Sequence, residues 1–206
     1  MKLYFSPGAC SLASHIALNE VGTAFETEKV STKDKVAMKA IHAKGQVPML
    51  KMDNGEMLTE GAAILQFIAD QKVESNLMPK SGTVERYRAQ EWLNFIATEI
   101  HKGCFAPLFG AEGLVADATA RTAFTTVVKE NLTKKFDYIE SQLTGRDYLM
   151  GKNFTVCDAY LFTCFSWSNY VGFETAGKWP NIAAWNSRVY TRPAVQKAMQ
   201  TEGLLK

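Results

Sequence analysis

The sequence predicts an α/β domain built on a mixed four-stranded sheet, followed by an all-α domain. Three observations carry that expectation. Strand-like and helix-like segments take turns through about residue 72. An Asp53-Asn54-Gly55 turn joins two short runs, and Asn-Gly is the strongest local cue for a hairpin. A hairpin among crossover-linked strands makes the sheet mixed. Beyond residue 82 every long segment has helical period.

The elements follow in order. "KLYF" (2–5) is short, apolar and aromatic, and reads as a strand. "SLASHIALNEVG" (11–22) places Leu12, Ile16 and Ala17 at helical spacing and closes on Gly22. "FETEKV" (25–30) alternates weakly and reads as a second strand. "KDKVAMKAIHA" (33–43) reads as a short helix with Val36 and Ala40 on its inner face. The hairpin occupies 47–59, and "GAAILQFIADQ" (61–71) is an amphipathic helix. "VESNLMPKSG" (73–82) carries Pro, Ser, Asn and Gly and reads as a connection. Segments 83–103 and 118–143 are long helices, the first with Trp92, Phe95, Ile96 and Ile100 at core spacing. "TVCDAYLFTCFSWSNYV" (155–171) is apolar nearly all round, as a buried helix is. Its opening, Thr155-Val156-Cys157-Asp158, is a capping box and takes a structural role. "IAAWNSRVY" and "PAVQKAMQ" finish the chain as two short helices. The domains are therefore 1–75 and 83–206, joined by a linker at 76–82 and sharing an interface, where ligand sites concentrate.

Composition narrows the function. With 23 Lys plus Arg against 21 Asp plus Glu, the net charge of +2 gives no argument for nucleic acid or an anionic membrane as partner. No apolar run approaches the about 18 residues of a spanning helix. Pro7 and Gly8 leave no room for the about 7–15 apolar residues of a secretory leader, so the expected compartment is the cytoplasm. The four cysteines are scattered without a C-x-x-C pair, which excludes a dithiol redox motif. In a reducing compartment all four are thiols.

Several residues are candidates for chemistry. Cys10 follows the Pro7-Gly8 turn and opens a helix, where backbone N–H groups and the helix dipole favour an anion and lower a thiol pKa. Its bland alternative is a small core residue. Ser11 reads as a helix-start residue, and strand alternation would bury Tyr4. Pro48 begins a strand, which confines it to an edge or a special turn. Glu60 and Gly61 open a helix, where an acid suits the dipole with or without a ligand. Asn94, Thr98, His101 and Lys102 lie at i, i+4, i+7 and i+8, one helix face, which lines a cleft or meets solvent. Cys104 reads as a packing residue.

Five stretches, "SPGACSLASHIAL", "KGQVPML", "LTEGAAILQFIAD", "EWLNFIATEIHKG" and "FTVCDAYLF", occur here in the order and wording of one family. The chain resembles the glutathione transferases, the bacterial beta class best. The resemblance implies a thioredoxin-like first domain with a cis bond at Val47–Pro48. The backbone beside that bond would pair with glutathione as an added strand. It implies that Cys10 and His101 are catalytic, with Cys10 facing the glutathione sulfur by hydrogen bond or mixed disulfide. Glu60 would take the γ-glutamyl ammonium and the Gly61 N–H the carboxylate beside it. Asn94, His101 and Lys102 would also reach glutathione, and Glu99 would reach it across a homodimer interface. Ser11, Lys33, Lys35 and Thr98 are further candidates, the two lysines for the glycyl carboxylate. Phe105, Leu108, Phe109 and Trp167 would wall the pocket for a small hydrophobic electrophile. Glutathione is the implied co-substrate, and no metal is implied. The expected activity is conjugation of the glutathione thiolate. The alternatives are a glutathione-dependent disulfide reductase working through Cys10, or a non-catalytic binding module. His42-Ala43 stands where the family has Asn-Pro, and the stretch before "KGQVP" is short; both bear on the glycyl end of the site.

Overall fold

The computed structural model describes residues 1–205. The first strand, β1 (Lys2–Phe5), lies inside a four-stranded sheet of order β2-β1-β3-β4. It runs parallel to β2 (Glu26–Lys29), with Leu3 opposite Thr27, and antiparallel to β3 (Met49–Lys51), with Leu3 opposite Leu50. β4 (Met57–Thr59) closes the hairpin, with Leu50 opposite Leu58. The turn works because Gly55 adopts φ 86°, which side chains resist, while the Met52 N–H donates to the Glu56 carbonyl at 2.8 Å. The mixed sheet is the one expected from the hairpin.

Helix α1 (Ser11–Val21) is buried on every side, because it packs against α3 (Gly61–Asp70) and also against helices of the second half. Helix α2 (Lys35–Ile41) differs from expectation. Val36 is 83% exposed and Met38 is its one buried residue. Seven residues make less than two turns, so a single long side chain anchors the helix and the Val36–Ala40 face is free. Asp34 caps it by accepting from the Ala37 N–H at 2.9 Å.

The stretch read as a linker is packed. Leu77 and Met78 are buried, and the Leu77 carbonyl accepts from the Val156 N–H at 3.0 Å. Helix α4 (Val84–Phe95) starts on its Thr83 cap and runs without a break into a π-helical stretch, Ile96–Phe105. Two short helices, α5 (Ala106–Phe109) and α6 (Ala111–Leu114), precede the long α7 (Ala118–Gln142). Helix α8 (Val156–Phe165) is the buried apolar helix, and it stops short of the expected 171 in a turn that ends on left-handed Gly172. Helices α9 (Pro180–Tyr190) and α10 (Pro193–Thr201) each open on a proline, whose missing N–H is not needed in a first turn.

Asp158 knits this half together. Fully buried, it accepts from the Leu149 N–H, the Thr155 N–H and hydroxyl, and the Trp185 indole, each at 2.9 Å. Burial still pushes its carboxyl pKa up, against those donors. The halves are joined by a forked Arg192–Glu20 pair at 2.6 and 2.9 Å. Glu202, just past α10, is also buried between them, meeting His15 at 3.0 Å and the Gly8 N–H at 2.9 Å. No helix among the described residues is long and apolar enough to cross a membrane.

Candidate active site

The cleft lies between the sheet's loop edge and the π-helical stretch, and it has two connected lobes of about 450 and 190 Å³. Cys10, Val47, His101 and Lys102 border both. The loop carrying Cys10 is held from three sides. The Ser6 N–H and carbonyl are bonded to the Ser11 hydroxyl, the Gly8 N–H to Glu202, and the Gly8 carbonyl accepts the Trp167 indole N–H at 2.7 Å. Ser11 is thereby fully buried and spent on its own loop, so it is not a site residue. Tyr4 is buried in the strand, as alternation implies.

Cys10 departs from the sequence expectation of a lowered pKa. Its half-buried thiol donates to the Val47 carbonyl at 3.2 Å, and burial pushes its pKa up to about 11. The positive charge of Lys102 and the N–H groups at the helix start pull the other way and lose. His101 departs likewise. Burial, with Lys102 beside it, lowers its pKa to about 4, so it is neutral at physiological pH and cannot act as a fixed cation. Its Nδ1 meets the Tyr160 hydroxyl at 2.8 Å, and its ring lies 4.9 Å from that of Trp167. Burial holds the Tyr160 phenol protonated. The neutral imidazole and the protonated phenol share this bond, with the donor set by the imidazole tautomer.

The smaller lobe collects Val47, Pro48, Glu60 and Gly61 around a cis Val47–Pro48 bond. Glu60 sits at φ 69°, the left-handed region that a non-glycine residue seldom occupies away from functional sites. Its carboxylate accepts from the Lys44 ammonium at 2.7 Å, which draws its pKa below the ordinary carboxylate value. The larger lobe is walled by Trp167, Phe109 and Tyr170, with Lys35 at its rim. Asn94 and Glu99 are elsewhere. They border a third cleft, of about 630 Å³, with Trp92 and Tyr138, and Glu99 pairs there with Lys135. Thr98 borders both that cleft and the smaller lobe.

Two family models match, "Glutathione S-transferase, N-terminal domain" over residues 8–71 and "Glutathione S-transferase, C-terminal domain" over residues 100–193. Glutathione S-transferase GstA of Escherichia coli O157:H7 is 41% identical across 99% of this chain and 100% of its own. This chain belongs to the glutathione S-transferase family. Among solved structures, a sphingomonad glutathione S-transferase complexed with glutathione is 40% identical, with TM-score 0.88 over all of both chains. A bacterial beta class transferase of Sphingomonas chungbukensis is 38% identical, with TM-score 0.89 over all of both.

Against what the family pattern implied for this transferase, four assignments need correction for the chain by itself. Asn94 does not border the Cys10 cleft, because Ile96–Phe105 is π-helical; Glu99, expected to reach glutathione from the other copy of a dimer, lies off this cleft and needs no correction. Hydrogen bonds from i to i+5 widen the turn, so the α-helical rule that put Asn94 on one stripe with His101 and Lys102 fails across that junction. Phe105 is fully buried behind Trp167, with ring centroids 5.4 Å apart, and Leu108 is half-buried off the wall; only Phe109 and Trp167 of the four line the larger lobe. Lys33 is exposed outside the cleft, whereas Lys35, at the start of α2, faces it. Sequence reasoning missed Lys44, Gln46, Tyr160 and Tyr170, all of which line the lobes. Lys44 and Gln46 stand within the quoted "KGQVP" run and were findable there. Tyr160 lies on an all-apolar helix and Tyr170 in a segment read as buried, so periodicity offered no signal for either.

Proposed function

We infer that this chain conjugates glutathione to small hydrophobic electrophiles in the cytoplasm, working as a homodimer. The observation that supports this best is the smaller lobe. There the Cys10 thiol, the Val47–Pro48 backbone and the Glu60–Gly61 helix start face one cavity of about 190 Å³, beside an aromatic-walled one of about 450 Å³. The tripeptide occupies the first and the electrophile the second.

The chain's groups divide the work. A protonated Cys10 is a donor, so it gives its S–H to the glutathione thiolate, exchanging the Val47 carbonyl for a charged acceptor. Lys102 supplies positive charge to the same sulfur, and neutral His101 a hydrogen bond from its ring. The thiolate attacks the electrophilic carbon held against Trp167 and Phe109, the carbon–sulfur bond forms, and the leaving group departs with its electron pair. Lys35 at the rim takes the glycyl carboxylate. Partner copies pack on the cleft of Trp92, Asn94 and Glu99, which brings Asn94 and Glu99 toward the neighbouring site.

The test compares wild type with Cys10→Ala in two reactions, conjugation to an aromatic halide and reduction of a glutathione mixed disulfide. Losing one charged hydrogen bond slows conjugation about tenfold or more. Conjugation untouched by the substitution while reduction vanishes makes Cys10 a redox residue and not the conjugation residue. Failure of the folded protein to take up millimolar glutathione in calorimetry removes both readings.

A further inference from the structure

Lys44 has no role in the reading above, yet it is aimed into the glutathione lobe. It stands in the connection between α2 and β3, and its ammonium reaches Glu60 Oε1 at 2.7 Å. Gly45, next in the chain, shapes the backbone turn that carries it. That residue adopts φ 55°, and a Cβ there would come within 2.9 Å of the Lys39 side chain. The Glu60 backbone is held at its unusual φ by its carbonyl, which accepts from the Ala63 and Ile64 N–H groups at 3.0 and 2.9 Å, and its carboxylate projects beside Lys44. The N–H groups of Gly61 and Ala62, in the first turn of α3, have no partner within the helix. Lys44, Glu60, Gly61 and Ala62 therefore border one cavity.

A carboxylate paired with an ammonium at the mouth of a cavity is the complement of an α-amino acid zwitterion, with opposite charges facing in reverse order. We propose that Lys44 is a binding residue for the γ-glutamyl group: its ammonium takes the α-carboxylate of the bound zwitterion while Glu60 takes the α-ammonium. This rests on the reading that glutathione is the ligand. The Lys44–Glu60 pair opens on binding, and one internal ion pair is exchanged for two to the ligand. If Lys44 stayed on Glu60, the incoming ammonium would meet a carboxylate already neutralised, and the α-carboxylate would have backbone N–H groups alone. Lys102, the other cation bordering this lobe, is at the Cys10 end as well and serves the sulfur.

The experiment uses wild type, Lys44→Met and Lys44→Arg against three tripeptides. These are glutathione, glutaryl-cysteinylglycine, which lacks the α-ammonium, and γ-aminobutyryl-cysteinylglycine, which lacks the α-carboxylate. Calorimetric Kd is the readout, and urea midpoints confirm folding. Lys44→Met weakens glutathione and the glutaryl analogue about tenfold, as loss of one exposed charge-assisted bond does, and does not weaken the γ-aminobutyryl analogue. Lys44→Arg restores glutathione to within about threefold of wild type. Equal weakening of all three ligands, tighter glutathione binding by Lys44→Met, or no change with any ligand overturns the proposal. Absence of glutathione binding to wild type overturns the transferase reading instead, so the two failures are distinct.

Discussion

The Cys10 thiol offers a measurement that discriminates between its position in the chain and its surroundings. At a helix start it ought to ionise early; in the folded protein, burial raises it from an ordinary 9.0 to about 11. That difference makes the thiolate fraction at pH 8 about a hundredfold smaller than for a free cysteine. A more basic thiolate is also a better nucleophile, and a Brønsted slope of about 0.4–0.5 returns about eightfold. The net expectation is alkylation by iodoacetamide about tenfold slower than for free cysteine at pH 8, rising with pH until about 11. Cys104, Cys157 and Cys164 are buried with raised pKa values and do not obscure the signal. Mass spectrometry of the Cys10 peptide over a pH series, without glutathione, gives the curve. A second arm uses stability. Between pH 9 and about 11 the folded protein keeps a proton that the unfolded chain releases, so stability falls as pH rises through that window. The loss is about 2 kcal/mol once partial exposure of the sulfur is allowed for, and Cys10→Ala abolishes it. An alkylation midpoint at or below pH 8, in the empty protein, would show that the helix dipole and Lys102 outweigh burial and would refute this account.

Other expectations follow from the same structure. His101 binds its proton only near pH 4, against 6.5 in the unfolded chain, so acidification through that window destabilises the protein by about 2–3 kcal/mol. Melting curves between pH 7 and 4 for wild type and His101→Gln check this, and parallel curves would contradict it. Asp158→Ala strands the Leu149 and Thr155 N–H groups and the Trp185 indole, a loss of about 3–5 kcal/mol in urea unfolding. A change under about 1 kcal/mol would mean that water replaces the carboxylate. Glu202→Ala leaves His15 and the Gly8 N–H without their partner; expected are a loss of about 3 kcal/mol and a higher KM for glutathione, because the Cys10 loop loses one of its three holds. An unchanged KM in folded variant would show the other two holds suffice.

Much of the fold was legible because its signals are local. The Asn54-Gly55 turn specified a hairpin, Gly22 a helix end and Thr155–Asp158 a helix start, each through backbone chemistry within a few residues. The site was legible where a motif brings its own backbone with it, as at Cys10, Val47–Pro48 and Glu60–Gly61. It was illegible where the chain leaves the α-helical period. Nothing in "IATEIHKGCF" announces i to i+5 hydrogen bonding, and that geometry separates Asn94 from His101. Val36 and Ala40 suit an inner face by spacing, and only the packed fold selects Met38 instead.

By itself, then, the order of residues determined the mixed sheet, the helical second half, the family and the loop that presents Cys10, because turns, caps and periodicity act through near neighbours. The tertiary structure alone decided the protonation of that site. Cys10 is a donor, and His101 is uncharged, because both are buried, the first against the Val47 backbone carbonyl and the second against the Tyr160 and Trp167 side chains. Burial is a property of the packed molecule, and its effect on a charge exceeds that of any group adjacent in sequence.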